Sequence, residues 1–84
     1  MNTTILDRVQ QIAADVFDLD AADITPDSSP ETISTWDSQA HLSFVLALEA
    51  EFGIRFTAVA AADILNIGLA VSLVEERMAQ KKPS

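Results

Sequence analysis

The sequence predicts an all-α domain: a four-helix bundle with three longer helices, one short third helix and a long first loop. Three observations predict it. Apolar residues recur at intervals of three and four in three separate stretches, the spacing of one helix face. Cap and stop residues bracket those stretches. A run of turn formers, too long for a hairpin and broken by two prolines, separates the first stretch from the second. The 84 residues, 49% of them hydrophobic, suit a single domain over 1–84 with one modest core.

The first helix carries Ile5, Val9, Ile12 and Val16 on one stripe, with Leu6, Ala13 and Phe17 beside it. Thr3 or Thr4 is its expected cap and Asp18 its expected end. From Asp20 to Trp36 the periodicity stops. Asp20, Asp23, Thr25-Pro26-Asp27-Ser28-Ser29-Pro30 and Ser34-Thr35 are turn and cap residues, and the prolines exclude a regular helix. So long a loop must be held down. Ile24, Ile33 and Trp36 are the expected anchors, and Ala21-Ala22-Asp23-Ile24 has the makings of one helical turn. Trp36 is read as a partly buried ring; the other reading is an exposed contact residue.

The second helix is the centre of the chain. Asp37 is placed to cap it, and Gly53 to end it in a left-handed conformation. Phe44, Leu48 and Phe52 share one face, with Val45 alongside. A second, narrower stripe sets Leu42 and Leu46 beside Glu49 and Glu51. The helix is thus apolar on two sides, more than one small core requires. Ile54-Arg55-Phe56 alternates, but three residues without a partner strand make an extended link rather than a sheet. Thr57 caps a short third helix over Val59–Leu65, rich in alanine yet dependent on docking Val59, Ile64 or Leu65. Asn66 caps the last helix, whose stripe is Ile67, Val71, Val74 and Met78 with Ala70, widened by Leu69 and Leu73. Gly68 in its first turn is a mild cost, and the segment from about 79 to 84 reads as a frayed tail.

Composition narrows the function. The net charge is −8 and there is no cysteine, so disulfides and cysteine metal sites are excluded. A single histidine, His41, makes a zinc site a poor fit, and no metal site is expected. No Lys or Arg stands between Arg8 and Arg55, an interval holding acids from Asp15 to Glu51. That surface repels nucleic acid and favours basic partner surfaces, although solubility alone explains it equally well. No stretch approaches a membrane span, so a cytoplasmic, non-inserting monomer is expected.

Ser38 falls in the first turn after the cap, projecting from a rigid platform where free N–H groups and the helix dipole favour a phosphate. On these grounds alone it either carries a phosphodiester or merely assists Asp37 in capping. A hydrolase built on Ser38 and His41, spaced i and i+3, lacks the material for an oxyanion site and pocket in so small a chain.

Asp37-Ser38, followed by Leu42-x-x-Val45-Leu46-Ala47-Leu48-Glu49-x-Glu51-Phe52-Gly53-Ile54, resembles the acyl carrier protein family, over nearly the whole chain. The resemblance implies that the serine bears a 4′-phosphopantetheine arm derived from coenzyme A, whose thiol holds acyl or aminoacyl groups as thioesters. It implies a carrier, not an enzyme, with no catalytic residue of its own. It assigns Asp37, Gln39, Leu42, Leu46 and Glu49 to partner recognition. The implied partners are a phosphopantetheinyl transferase, an acyl- or aminoacyl-activating ligase, and acyl-transfer or condensing enzymes with basic docking surfaces. The chain departs from the family at Gln39, where leucine is usual, and in a third helix poorer in acids. Thr35-Trp36 before the serine is similar to stand-alone carriers of specialised polyketide, nonribosomal peptide or cell-surface glycan pathways. The alternative is a small acidic adaptor with a degenerate carrier fold and no prosthetic group.

Overall fold

The computed structural model describes residues 3–80. It contains α1 (Thr3–Phe17), α2 (Ser38–Phe52), α3 (Ala58–Ala62) and α4 (Ile67–Gln80), with a 3-10 turn at Ala21–Asp23 and no strand among the described residues. α1 packs on α2 and α4, and α2 on α4. The all-α bundle with one short helix and a long first loop is therefore as the sequence predicts.

The boundaries and faces differ in detail. α1 already includes Thr3 and Thr4, so neither is its cap. Its innermost line is Val9, Ala13 and Phe17, all fully buried, while Ile5, Leu6, Ile12 and Val16 flank it half-buried. α1 ends on Asp18, which takes a left-handed φ of 58°, so that Leu19 N–H returns to Ala14 O at 2.9 Å. α2 starts and stops where the sequence places it. The Asp37 carboxylate accepts from Ala40 N–H at 2.8 Å, and Gly53 has φ 63°. Phe44, Val45, Leu48 and Phe52 form its buried face.

The first loop is anchored by Ile24, Ile33 and Trp36, all buried as expected. Hydrogen bonds hold it as firmly. Gln10 Nε2 donates to Ile24 O at 2.6 Å, and Thr35 Oγ1 to Phe17 O at 2.7 Å. The loop also completes α4. Ile67 N–H donates to Ser28 O at 2.9 Å, Gly68 N–H to Pro26 O at 2.8 Å, and Leu69 N–H to Asn66 Oδ1 at 2.7 Å. The first-turn donors of α4 are thus satisfied by two loop carbonyls and its cap.

Two expectations fail. α3 is shorter than Val59–Leu65: Thr57 Oγ1 caps it at Ala60 N–H, 3.1 Å, but it closes at Asp63. Of its three candidate docking residues only Ile64 is buried; Val59 and Leu65 stay 73% and 63% exposed. One turn of helix cannot turn residues six apart to the same core. Met78 is 37% exposed and not part of the buried face, so the buried stripe of α4 is Ile67, Ala70, Val71 and Val74. α4 continues through Ala79 and Gln80, the first residues of the expected tail; the remainder of that tail lies outside the described residues.

Candidate functional site

Ser38 is the first residue of α2 and is exposed. It stands there because Asp37 is extended, turns the chain and ties Ala40 N–H with its carboxylate. The cap fixes the helix start, so the serine cannot drift with a fraying end. The N–H groups of Ser38 and Gln39 have no partner among the described residues. First-turn N–H groups open toward the N-terminal end of a helix, the end at which Ser38 stands, and favour an anion there.

An aromatic cluster lies beneath. Trp36 stacks on Phe17 with ring centroids 4.6 Å apart and meets Phe44 edge-on at 5.6 Å. A buried indole N–H needs an acceptor, and here it is His41: Trp36 Nε1–H donates to Nδ1 at 3.0 Å. Nδ1 is therefore unprotonated, and the other nitrogen carries the hydrogen. His41 Nε2–H donates to Ala61 O at 2.9 Å. The imidazole thus joins the first loop, the first turn of α2, and α3. Both of its nitrogens are occupied away from Ser38, so the two side chains do not form a nucleophile–base pair.

A groove of about 470 Å³ opens beside Ser38. The loop contributes Pro30 and Trp36, the start of α2 contributes Asp37, Ser38 and His41, and the end of α3 contributes Ala62, Ile64 and Leu65. Sealed Ile64 and exposed Leu65 provide its floor and its rim. Its size suits a small organic group.

The other residues singled out in the sequence lie along α2. Gln39 is exposed, and Leu42 and Leu46 are 59% and 55% exposed, an apolar pair outside the hydrophobic core of the described residues. Glu49 is half-buried, and its Oε2 accepts from Phe56 N–H at 2.8 Å, clipping the link that leads into α3. Glu51 pairs with Arg8. The sequence reading missed Pro30, Ala62 and Leu65 as neighbours of the serine, and missed the His41 relay. The signal for the relay was the tryptophan itself, which once buried must find an acceptor nearby.

No protein-family model matches the chain. A curated acyl carrier protein of Picosynechococcus sp. is 32% identical over 77 residues, covering 92% of this chain and 95% of that protein. Among solved structures, the holo acyl carrier protein from Geobacter metallireducens superposes with a TM-score of 0.80 at 31% identity, covering 89% of this chain and 86% of that one.

Proposed function

The chain belongs to the acyl carrier protein family, and we propose that it tethers acyl or aminoacyl intermediates as thioesters on a 4′-phosphopantetheine arm at Ser38. The observation that carries this reading is the placement of Ser38. Its hydroxyl is exposed at the capped start of α2, beside two unpartnered N–H groups and an open groove. Those features fit a phosphodiester: the amides meet the phosphate oxygens, and the groove gives the attached chain somewhere to lie. When attached, the arm supplies the thiol; the protein supplies position and recognition.

The exposed Leu42 and Leu46, with Gln39 beside the serine, form the partner-facing side. The modifying transferase and the loading ligase meet the carrier there, and downstream acyl-transfer enzymes bring basic surfaces to the acidic chain. Asp37 serves the site through its cap. The residues Thr35-Trp36 ahead of the serine support a specialised pathway. Among the described residues no helix is long and apolar enough to cross a membrane.

The test is the intact mass of the protein after incubation with coenzyme A and a broad-specificity phosphopantetheinyl transferase. A gain of one phosphopantetheine is expected, and none for Ser38→Ala with an unchanged helical spectrum. Modification of the alanine variant would move the site elsewhere. No gain for either protein, including a Gln39→Leu variant, would favour the adaptor reading.

A further inference from the structure

We propose that the far end of α2 and the link after it form a second docking surface, which takes an acidic, aliphatic segment of a partner protein. An aliphatic side chain enters the groove between Leu46 and Ile54, and a neighbouring carboxylate pairs with Arg55. The sign is opposite to the one expected for partners of so acidic a chain. The surface is independent of the carrier reading, since it needs no arm on Ser38.

The link is built to present Arg55. Gly53 turns the chain with its left-handed φ of 63°, and Ile54 N–H returns to Glu49 O at 3.1 Å. Ile54 is buried, and Phe56 N–H is held by Glu49 Oε2 at 2.8 Å. Both neighbours of Arg55 are thus fixed, and Arg55 between them is exposed. A groove of about 510 Å³ opens here, lined by Leu46, Glu49, Ala50, Gly53, Ile54 and Arg55. It shares no residue with the groove beside Ser38. At a rise of about 1.5 Å per residue, the end of α2 lies roughly 20 Å from the serine.

Charge selects the occupant. Arg55 is the only Lys or Arg between Arg8 and Arg77. Arg8 pairs with Glu51, and Arg77 Nη1–H donates to Gln80 Oε1 at 3.2 Å. Among the described residues the Arg55 guanidinium has no hydrogen bond and no ion pair. The two acids at this end of the helix are engaged, Glu51 with Arg8 and Glu49 with Phe56 N–H. The charge of Arg55 is therefore left for a partner to answer, through a planar fork of donors that matches a carboxylate. A basic surface would meet it as a like charge, and a wholly apolar one would strip its water without return. Leu46 and Ala50 are exposed and give the groove an aliphatic wall. Glu49 also lines it, so the group that enters is uncharged and the carboxylate stays with Arg55.

The experiment follows amide NMR shifts of the full-length apo chain titrated with two short synthetic amphipathic peptides. The two share one row of leucines and carry either Glu or Lys at every polar position. Salt is raised until the net charge of −8 no longer governs encounter. The Glu peptide is expected to shift the Leu46, Ala50, Ile54 and Arg55 amides, and the Lys peptide to leave that set in place. Arg55→Glu changes an exposed residue with no ion pair among the described residues, so the helical spectrum is preserved. It should weaken the Glu peptide by about tenfold and let the Lys peptide shift the set instead. Arg55→Lys should keep the preference for the Glu peptide. If the Lys peptide shifts the set as strongly as the Glu peptide in the wild type, if neither peptide shifts it, or if Arg55→Glu leaves the preference unchanged, the surface does not read an acid. No arm is attached in this measurement, so its failure leaves the mass test of Ser38 standing, and loss of modification leaves this surface standing.

Discussion

Replacing Gly68 by alanine is expected to weaken the fold by up to about 1 kcal/mol, although helix propensity points the other way. Alanine is preferred to glycine in a helix by up to about 1 kcal/mol, so a sequence argument makes Gly68→Ala stabilising. The packing of the loop reverses the sign. A Cβ at position 68 would lie 3.2 Å from Pro26 O and 3.6 Å from Pro26 Cβ. That same oxygen accepts Gly68 N–H at 2.8 Å, while Ile67 N–H reaches Ser28 O at 2.9 Å. The loop cannot retreat freely. Thr25 N–H is bonded to Ser28 Oγ at 2.9 Å and Ser28 N–H to Thr25 O at 3.0 Å, and Ser28 is buried. Relief of the contact must lengthen both bonds between loop and helix. Each contributes about 1 kcal/mol net, so losing both would outweigh the propensity gain by about 1 kcal/mol, the upper bound of the effect. In a domain of this size that lowers Tm by roughly 4–8 °C. Urea unfolding followed by Trp36 fluorescence gives the midpoint, and an unchanged m-value would place the effect in stability. A midpoint that rises would refute the reasoning: it would mean that the loop yields without loss and does not hold the start of α4.

Other substitutions probe the remaining supports. Asp18→Gly removes a side chain from a left-handed position (φ 58°) and is expected to stabilise by up to about 1 kcal/mol, read as a higher Tm. Glu49→Ala leaves Phe56 N–H without its acceptor and is expected to lower stability by about 1–2 kcal/mol, whereas Glu49→Gln, which keeps an acceptor oxygen, should retain most of it; paired urea melts decide. Leu46→Ser, at an exposed position, should change stability by less than about 0.5 kcal/mol yet reduce kcat/KM of the loading ligase by about tenfold, separating a recognition residue from a core one.

The parts of the fold legible in the sequence are those governed by local chemistry. Asp37 and Gly53 bracket α2 because capping and left-handed turns depend on the residue itself. Phe44, Leu48 and Phe52 declare their face by spacing alone. Ile24, Ile33 and Trp36 could be picked out as anchors because they are the large apolar residues in a polar loop. What was not legible depends on residues distant in the chain. Gly68 reads as a helix defect until the Pro26 carbonyl is placed against it, and Glu49 reads as a surface acid until Phe56 N–H is placed under it. α3 fell short because the expected span counted alanines, which favour a helix, without knowing that Ile64 must leave the helix to be buried.

The surroundings of Ser38 show where that limit bears on function. The serine, its cap and the exposed Leu42 and Leu46 lie on one continuous helix, so one register places them all. The groove is assembled from three segments, and the residue that joins them is a histidine that the sequence alone reads as a half-exposed helix residue on the face of Ser38. Its bonds to Trp36 and Ala61 span 5 and 20 residues. Neither follows from periodicity. Both follow from burial, which obliges an indole N–H and an imidazole N–H to find acceptors once the loop and α3 close over them. His41 is thereby removed from the chemistry of the serine and given to the architecture around it. If that assignment holds, His41→Ala will loosen α3 and lower the melting temperature more than His41→Gln, which can still accept from the indole and donate to Ala61 O, while Ser38 is modified equally in both.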